Sequence, residues 1–129
     1  MRTKQRNNLA ETARHERVAQ NTDVYAVKAR NYKGLRRGSP VFCRNNWHIH
    51  HKGGQILLCT DGEGWYQEWG QPARKLHPGD VVYIAPQVKH WHGAAADEWF
   101  THVAIEIPAE GASNEWLEPV DDKQYNSLI

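Results

Sequence analysis

The chain has 129 residues, which is enough for one domain with a single core. Lys and Arg together number 16 and Asp and Glu 15, so the charge balance gives no electrostatic basis for binding nucleic acid or an anionic membrane. The two cysteines, Cys43 and Cys59, imply neither a disulfide framework nor a thiolate metal site. Since no apolar run could span a membrane or form a signal-peptide core, we expect a reducing, cytoplasmic setting.

The chain changes character near residue 40. Residues 1–40 are polar and poorly patterned, and their apolar spacing predicts only a weak helix over residues 9–19. From residue 41 onward, short apolar runs alternate with turn residues such as Asp61-Gly62. We therefore predict an N-terminal segment of uncertain structure at 1–40 and one domain at 41–129.

The second part of the chain has the pattern of many short strands, each ending at a turn signal. Strands at such close spacing predict an all-β fold, either an antiparallel β-barrel or a double-sheet jelly roll. An extended stretch with one helical turn is expected over residues 114–129. The predicted strands cover residues 47–50, 55–60, 64–69, 73–76, 80–85, 90–94 and 99–107.

Histidine placement indicates a metal site. His48 and His50 are two residues apart, so on a strand both imidazoles point to the same face. The Gly53-Gly54 pair lets the chain turn sharply, and Gln55 then begins the next strand. With His90 from a later strand, four neutral nitrogen and oxygen donors could meet on one metal ion.

The same alternation groups further polar residues. His92 shares a face with His90, and His102 shares a face with Glu106. If these faces converge inside the barrel, they form a cavity that contains a metal and titratable groups, since buried polar side chains otherwise need other partners.

Most other conspicuous residues are expected to lie outside this cavity. His51 faces away from His48, and His77 precedes a turn, so both are expected to be exposed or structural. Cys59 is expected to fill core space or to face the cavity, and the tryptophans are expected to pack against other side chains rather than to bind ligands, although one could line the mouth of the pocket.

Two motifs resemble those of the cupins. The run His48-X-His50-X4-Gln55-X6-Gly62 resembles the first cupin motif, with glutamine where glutamate is more usual. Gly79-Asp80, followed by Pro86 and then His90, resembles the second motif. The resemblance extends over about residues 45–125.

A narrower resemblance comes from residues 54–55, 78–82, 89–94 and 116–120. These stretches are similar to small bacterial cupins often found alongside carboxymuconolactone decarboxylases, and to manganese-dependent cupin hydroxynitrile lyases. The resemblance implies a homodimer and a small-molecule substrate, without nucleic acid or membrane partners. Cupins normally have strands before the first motif that complete the barrel and the dimer interface, and residues 1–40 do not resemble them.

The resemblance also implies roles for individual residues. It implies one divalent metal ion bound by His48, His50, Gln55 and His90. It implies catalytic roles for His92 and His102. Glu106 stands where the lyases have glutamine, so a carboxylate at this position would repel cyanide or could serve as a general base.

The implied ligands are all neutral, so a bound ion would keep its full positive charge and polarise a carbonyl, hydroxyl or water strongly. Mixed nitrogen and oxygen ligation suits manganese, iron, nickel, cobalt or zinc. His92 and His102 could carry a proton to or from the substrate. Our first hypothesis is a metal-dependent lyase acting on a small hydroxylated or carbonyl compound; a dioxygenase and a non-catalytic small-molecule binding module are the alternatives.

Overall fold

The computed structural model describes residues 13–17, 24–30, 44–96 and 98–128. These residues form ten strands and one short helix. The elements are β1 (Ala13–Arg17), β2 (Val24–Arg30), β3 (His48–His51), β4 (Gly54–Gly62), β5 (Gly64–Glu68), β6 (Arg74–Leu76), β7 (Val81–Ile84), β8 (His90–Ala94), β9 (Trp99–Ile107), β10 (Ser113–Trp116) and α1 (Asp122–Asn126).

The strands form two antiparallel five-stranded sheets. The first has the order β1-β2-β9-β4-β7 and the second the order β10-β3-β8-β5-β6. This confirms the predicted all-β, double-sheet fold. The seven predicted strands are all present with ends shifted by two residues or fewer, and the extended stretch and helical turn expected after residue 114 appear as β10 and α1.

The N-terminal expectations were wrong where the structure describes this part of the chain. Residues 13–17 form a strand rather than a helix, and residues 24–30 form a second strand. β2 pairs along its whole length with β9, from Val24 opposite Ile105 to Arg30 opposite Trp99. Backbone pairing with a sheet edge decides the conformation here, because local helix propensity is only a weak preference.

These two strands also change the expectation that residues 1–40 lack the strands that precede the first cupin motif. β1 and β2 belong to the same sheet as β4, β7 and β9. The domain division at residue 40 stays a prediction. The remaining residues of the predicted helix over 9–19, and Cys43, lie outside the described residues.

The inward faces of the two sheets enclose the main core. Residues of β4 and β9 alternate between buried and partly exposed, as expected for strands with one covered face. Cys59 belongs to this core as predicted, and burial raises the pKa of its thiol to about 11, so it stays protonated. The core side chains include Leu57, Cys59, Leu76, Val82, Ile84 and Phe100.

The C-terminal segment covers a second apolar cluster. Trp47, Trp65, Trp91 and Tyr125 are buried together. The backbone of Trp47 exchanges hydrogen bonds with the segment after β10, and the hydroxyl of Tyr125 donates to the carbonyl oxygen of Ala94. These contacts hold the chain end against the sheet that carries β3 and β8. Among the residues that the structure describes, no helix has the length and apolar character needed to cross a membrane.

Gly62 is required by the tight connection between β4 and β5. Its φ of +73° is unfavourable for other residues, and a Cβ atom there would lie 1.6 Å from the carbonyl oxygen of Trp99. Gly79 also has a positive φ, of +91°, but nothing lies within 4 Å of its ideal Cβ position.

We expect Gly62→Ala to reduce the free energy of unfolding more than Gly79→Ala. The left-handed conformation costs alanine about 1–2 kcal/mol at either position. At Gly62 the overlap with Trp99 adds to that loss. Chemical denaturation of both variants measures the difference, and equal losses at the two positions would contradict the steric argument.

Candidate metal centre

Three buried histidines converge inside the barrel. His48 and His50 come from β3, and His90 comes from β8, where it lies directly opposite His48. The ring nitrogens that could bind a metal ion lie within 4.8 Å of one another. The structure thus brings together the three histidines predicted as ligands, and their spacing could hold a metal ion.

The outer nitrogen of each ring is held by an oxygen acceptor. The Nδ1 atom of His48 donates to the carbonyl oxygen of Asn46 at 2.8 Å, and that of His90 donates to the carbonyl oxygen of Val88 at 2.9 Å. The Nδ1 atom of His50 lies 2.7 Å from the side-chain oxygen of Asn114. Because these oxygens accept and do not donate, Nδ1 carries the proton and Nε2 keeps a lone pair for a metal.

Burial favours the neutral form of His48 and His90. Desolvation is the largest cause that lowers the pKa of His48 to about 4 and that of His90 to about 3. The neighbouring histidines lower both values further, while the hydrogen bonds to Asn46 and Val88 act in the opposite direction. Both imidazoles are therefore neutral at pH 7, which is the state that binds metal.

Several buried atoms that could bind a metal ion have no hydrogen-bond partner. These atoms are Nε2 of His50, Nε2 of His90 and Oε1 of Gln55. Leaving polar atoms unpaired in a buried site is unfavourable by about 1–3 kcal/mol each. A divalent cation would satisfy such lone pairs together, so the residues present fit a metal with nitrogen and oxygen ligands.

Gln55 lies at the start of β4, opposite Glu106 of β9. Its side chain is buried, and its amide nitrogen donates a hydrogen bond to the carboxylate of Glu106. Its role as the fourth ligand stays a prediction.

His92 and His102 form an adjoining pair of buried rings. Their ring centroids are 5.0 Å apart, and that of His92 is 5.9 Å from that of His48. The side-chain amide nitrogen of Asn45 lies 3.0 Å from Nε2 of His92. The side-chain oxygen of Asn45 accepts a hydrogen bond from the backbone N–H of His92. Since the amide nitrogen can only donate, Nε2 of His92 accepts and Nδ1 carries the proton.

Desolvation by burial, followed by the neighbouring histidines and above all His102, lowers the pKa of His92 well below its usual value. His92 is therefore neutral at pH 7. The catalytic roles of His92 and His102 stay predictions.

Glu106 lies at the edge of the centre, next to a cleft of about 510 Å³ at one end of the barrel. Its carboxylate is 3.4 Å from Nδ1 of His50, and its side chain is 23 % exposed. The cleft is lined by polar residues that include His50, Glu106 and Asn114 and by apolar residues that include Ile107 and Pro108. It is the space through which a small molecule could approach His50 and Glu106.

Sequence reasoning missed the residues that orient the histidines. Asn45 and Asn114 have no motif of their own, and Asn114 meets His50 only because β10 pairs with β3. The ring of Trp116, on the same strand, lies 4.7 Å from that of His48 although the residue is exposed. The expectation that one tryptophan lines the mouth of the pocket stays a prediction.

His51 and His77 lie outside the three-histidine cluster, although His51 is one of the residues that line the cleft. His51 contacts Gln87 and Glu115 through its two ring nitrogens at 2.8 and 2.7 Å, and His77 is exposed.

Comparison with known proteins identifies the family. The cupin domain model matches residues 40–106, which is more than half of the chain. The chain belongs to the cupin family. This membership agrees with the two antiparallel sheets and the three converging histidines of the structure.

Among similar proteins, the (R)-mandelonitrile lyase of Granulicella tundricola is 46 % identical over 82 residues. The match includes 64 % of this chain but spans only 62 % of the lyase. A cupin-like protein of Thermotoga maritima is 40 % identical, with a TM-score of 0.69 over 88 % of this cupin and 80 % of that chain. A protein from Klebsiella pneumoniae with a double-stranded β-helix domain is 20 % identical, with a TM-score of 0.61 over 83 % of this chain and 85 % of its own, and it supports the fold alone.

We expect the metal-free protein to lose stability as the pH falls. The pKa values of His48 and His90 in the folded state, about 4 and about 3, lie below the usual 6.5 of the unfolded chain. The unfolded chain therefore binds more protons below about pH 6.5, and the free energy of unfolding decreases by an amount on the order of a few kcal/mol toward pH 4.

Chemical denaturation between pH 7.5 and 4.5 measures this slope. His90→Gln removes one of the titrating groups and should make the slope shallower, whereas His77→Gln changes an exposed ring and should leave it unchanged. Equal stability at both ends of the pH range would contradict the expected burial of neutral imidazoles.

Proposed function

We propose that this cupin is a metal-dependent enzyme that carries out lyase chemistry on a small hydroxylated or carbonyl compound. The observation that carries the proposal is the convergence of three buried imidazoles within 4.8 Å, with their outer nitrogens already held by oxygen acceptors. In the proposal, His48, His50 and His90 bind one divalent ion together with Gln55. The identity of 46 % with a mandelonitrile lyase over 82 residues supports the reaction class.

When bound, a divalent ion such as manganese, iron, nickel, cobalt or zinc would supply a Lewis acid for an oxygen atom of the substrate. The protein residues have the other tasks. The three imidazoles and the amide are uncharged and so leave the charge of the ion largely intact. The cleft beside His50 and Glu106 is the proposed approach for the substrate.

His92 and His102 are the proposed proton carriers. Asn45 fixes the ring of His92, so that its Nδ1–H bond has a defined direction. Because burial keeps His92 neutral and Nδ1 already carries a proton, this ring can take up a further proton only at Nε2, the atom that accepts from Asn45. The adjacent ring of His102, 5.0 Å away, is the proposed partner in moving that proton.

Glu106 affects the choice of substrate. A carboxylate beside the cleft disfavours an anionic leaving group such as cyanide. A test panel should therefore include mandelonitrile together with hydroxylated compounds whose cleavage releases neutral products.

We expect turnover of at least one compound in this panel to disappear on chelation and to return with one divalent metal. His92→Ala and His102→Ala should lower kcat by about 10²- to 10⁴-fold while leaving the metal content unchanged, since they remove proton transfer and not ligands. Initial rates, with elemental analysis of protein purified without added metal, measure both effects.

His77→Ala is the matched control. Because His77 is exposed, this variant should retain full activity. Turnover that is insensitive to chelation would contradict the proposal. Metal binding without turnover of any compound in the panel would instead favour a binding module, and oxygen consumption during turnover would favour a dioxygenase.

We also propose that the protein is a homodimer. The outward face of the β7-β4-β9 region carries a continuous set of apolar side chains. Val81 and Tyr83 are 59 % and 62 % exposed, and they lie opposite Leu58 and Ile56, which continue in register to β9. The set comprises Ile56, Leu58, Val81, Tyr83, Val103 and Ile105.

A second copy of the same face is the proposed occupant. None of these six side chains is charged, so two copies could pack against each other about a two-fold axis without burying a charge. Contiguous exposed apolar surface of this kind is typical of protein interfaces.

We expect Tyr83→Glu to convert the dimer to a monomer, because it would place a charge at the centre of the proposed interface. Light scattering after size exclusion should give about twice the chain mass of 14.9 kDa for the wild type and about the chain mass for the variant. Gln71→Glu, in an exposed turn, is the control and should stay dimeric. A monomeric wild type at micromolar concentration would contradict the proposal.

A further inference from the structure

Glu106 contacts the outer atoms of two of the proposed metal ligands. It lies on β9 directly opposite Gln55. Its carboxylate accepts a hydrogen bond from the amide nitrogen of Gln55, and it lies 3.4 Å from Nδ1 of His50. These contacts connect one carboxylate to ligands from two strands of different sheets.

The contact with Glu106 determines which way the amide of Gln55 faces. A carboxylate only accepts hydrogen bonds, so the amide must present its NH₂ group to Glu106. The amide oxygen then occupies the other arm, where it is buried and without a hydrogen-bond partner. If the amide were turned by 180°, it would direct NH₂ donors to that side, and such donors cannot bind a cation.

We propose that Glu106 is a positioning residue that holds the amide oxygen of Gln55 in the orientation needed to bind the metal. This inference rests on the proposed function, because it requires a metal ion at the three histidines. Its task in this proposal is to orient the Gln55 amide rather than to transfer a proton.

The affinity for Mn²⁺ tests the inference without requiring turnover. Isothermal titration of metal-free protein with Mn²⁺ compares the wild type with Glu106→Ala and Glu106→Gln. Loss of an outer hydrogen-bond partner typically weakens metal binding by about 10- to 100-fold, which is the loss expected for Glu106→Ala. Glu106→Gln should lose less, because its amide oxygen can still accept from Gln55. Glu110→Gln, an exposed carboxylate on the loop after β9, is the matched control and should bind like the wild type.

A double-mutant cycle separates orientation from charge alone. In the Gln55→Glu variant, the carboxylates at positions 55 and 106 face each other across the β4-β9 pair and repel each other. Adding Glu106→Gln should remove this repulsion, because the new amide can donate its NH₂ group to the carboxylate at position 55. Glu106→Gln should therefore weaken Mn²⁺ binding when residue 55 is glutamine, but leave it unchanged or strengthen it in the Gln55→Glu background. Weakening by the same factor in both backgrounds would show that Glu106 acts through its charge and would overturn the positioning role.

The outcomes distinguish the inference from the proposed function. A wild-type protein that binds no divalent ion would overturn both. A wild-type protein that binds Mn²⁺, with Glu106→Ala binding within twofold of it, would overturn the inference alone. Circular dichroism and thermal unfolding of each metal-free variant establish that it is folded, and the cycle built on Glu106→Gln decides the question if Glu106→Ala does not fold.

Discussion

The structure depends on burying imidazole rings as neutral ligands inside an apolar sheet sandwich. Water is largely excluded from His48 and His90, so the charged form of each ring is disfavoured. The hydrogen bonds from Nδ1 to the carbonyl oxygens of Asn46 and Val88 then select one tautomer. Burial and anchoring together produce converging lone pairs, which a collection of exposed histidines would not.

This arrangement explains how the barrel tolerates a polar interior. His48, His50 and His90 use their Nδ1 atoms to bond oxygen acceptors within the protein, whereas Nε2 of His92 accepts a hydrogen bond from the Asn45 amide. Among the described residues, the buried atoms without a hydrogen-bond partner include Nε2 of His50, Nε2 of His90 and Oε1 of Gln55, which belong to residues proposed to share one metal. A cation bound there would offset the cost of leaving these three atoms unpaired. A site of this kind makes the metal-free protein less stable and increases its affinity for the metal.

The cupin fold carries many different reactions, so the site determines the function and the fold does not. The three converging histidines are the part of the site that could hold a metal ion in this cupin. The pairing of Gln55 with Glu106 is the part in which this chain differs from the motifs it resembles. The carboxylate of Glu106 lies on the strand next to Gln55, where it accepts a hydrogen bond from the Gln55 amide.

The sequence by itself determined the features that depend on local periodicity. Alternation along a strand places His48 with His50 and His90 with His92, and turn residues delimit the strands from 47 to 107. Only the tertiary structure decided the features that depend on pairing between distant residues. Residues 24–30 form a strand because they pair with β9. Asn114 contacts His50 although 64 positions separate the two residues, and the carboxylate of Glu106 orients the amide of Gln55, which is 51 positions away in the chain. The pKa of His92 belongs to the same class, because desolvation arises from the whole surrounding core and no local pattern encodes it.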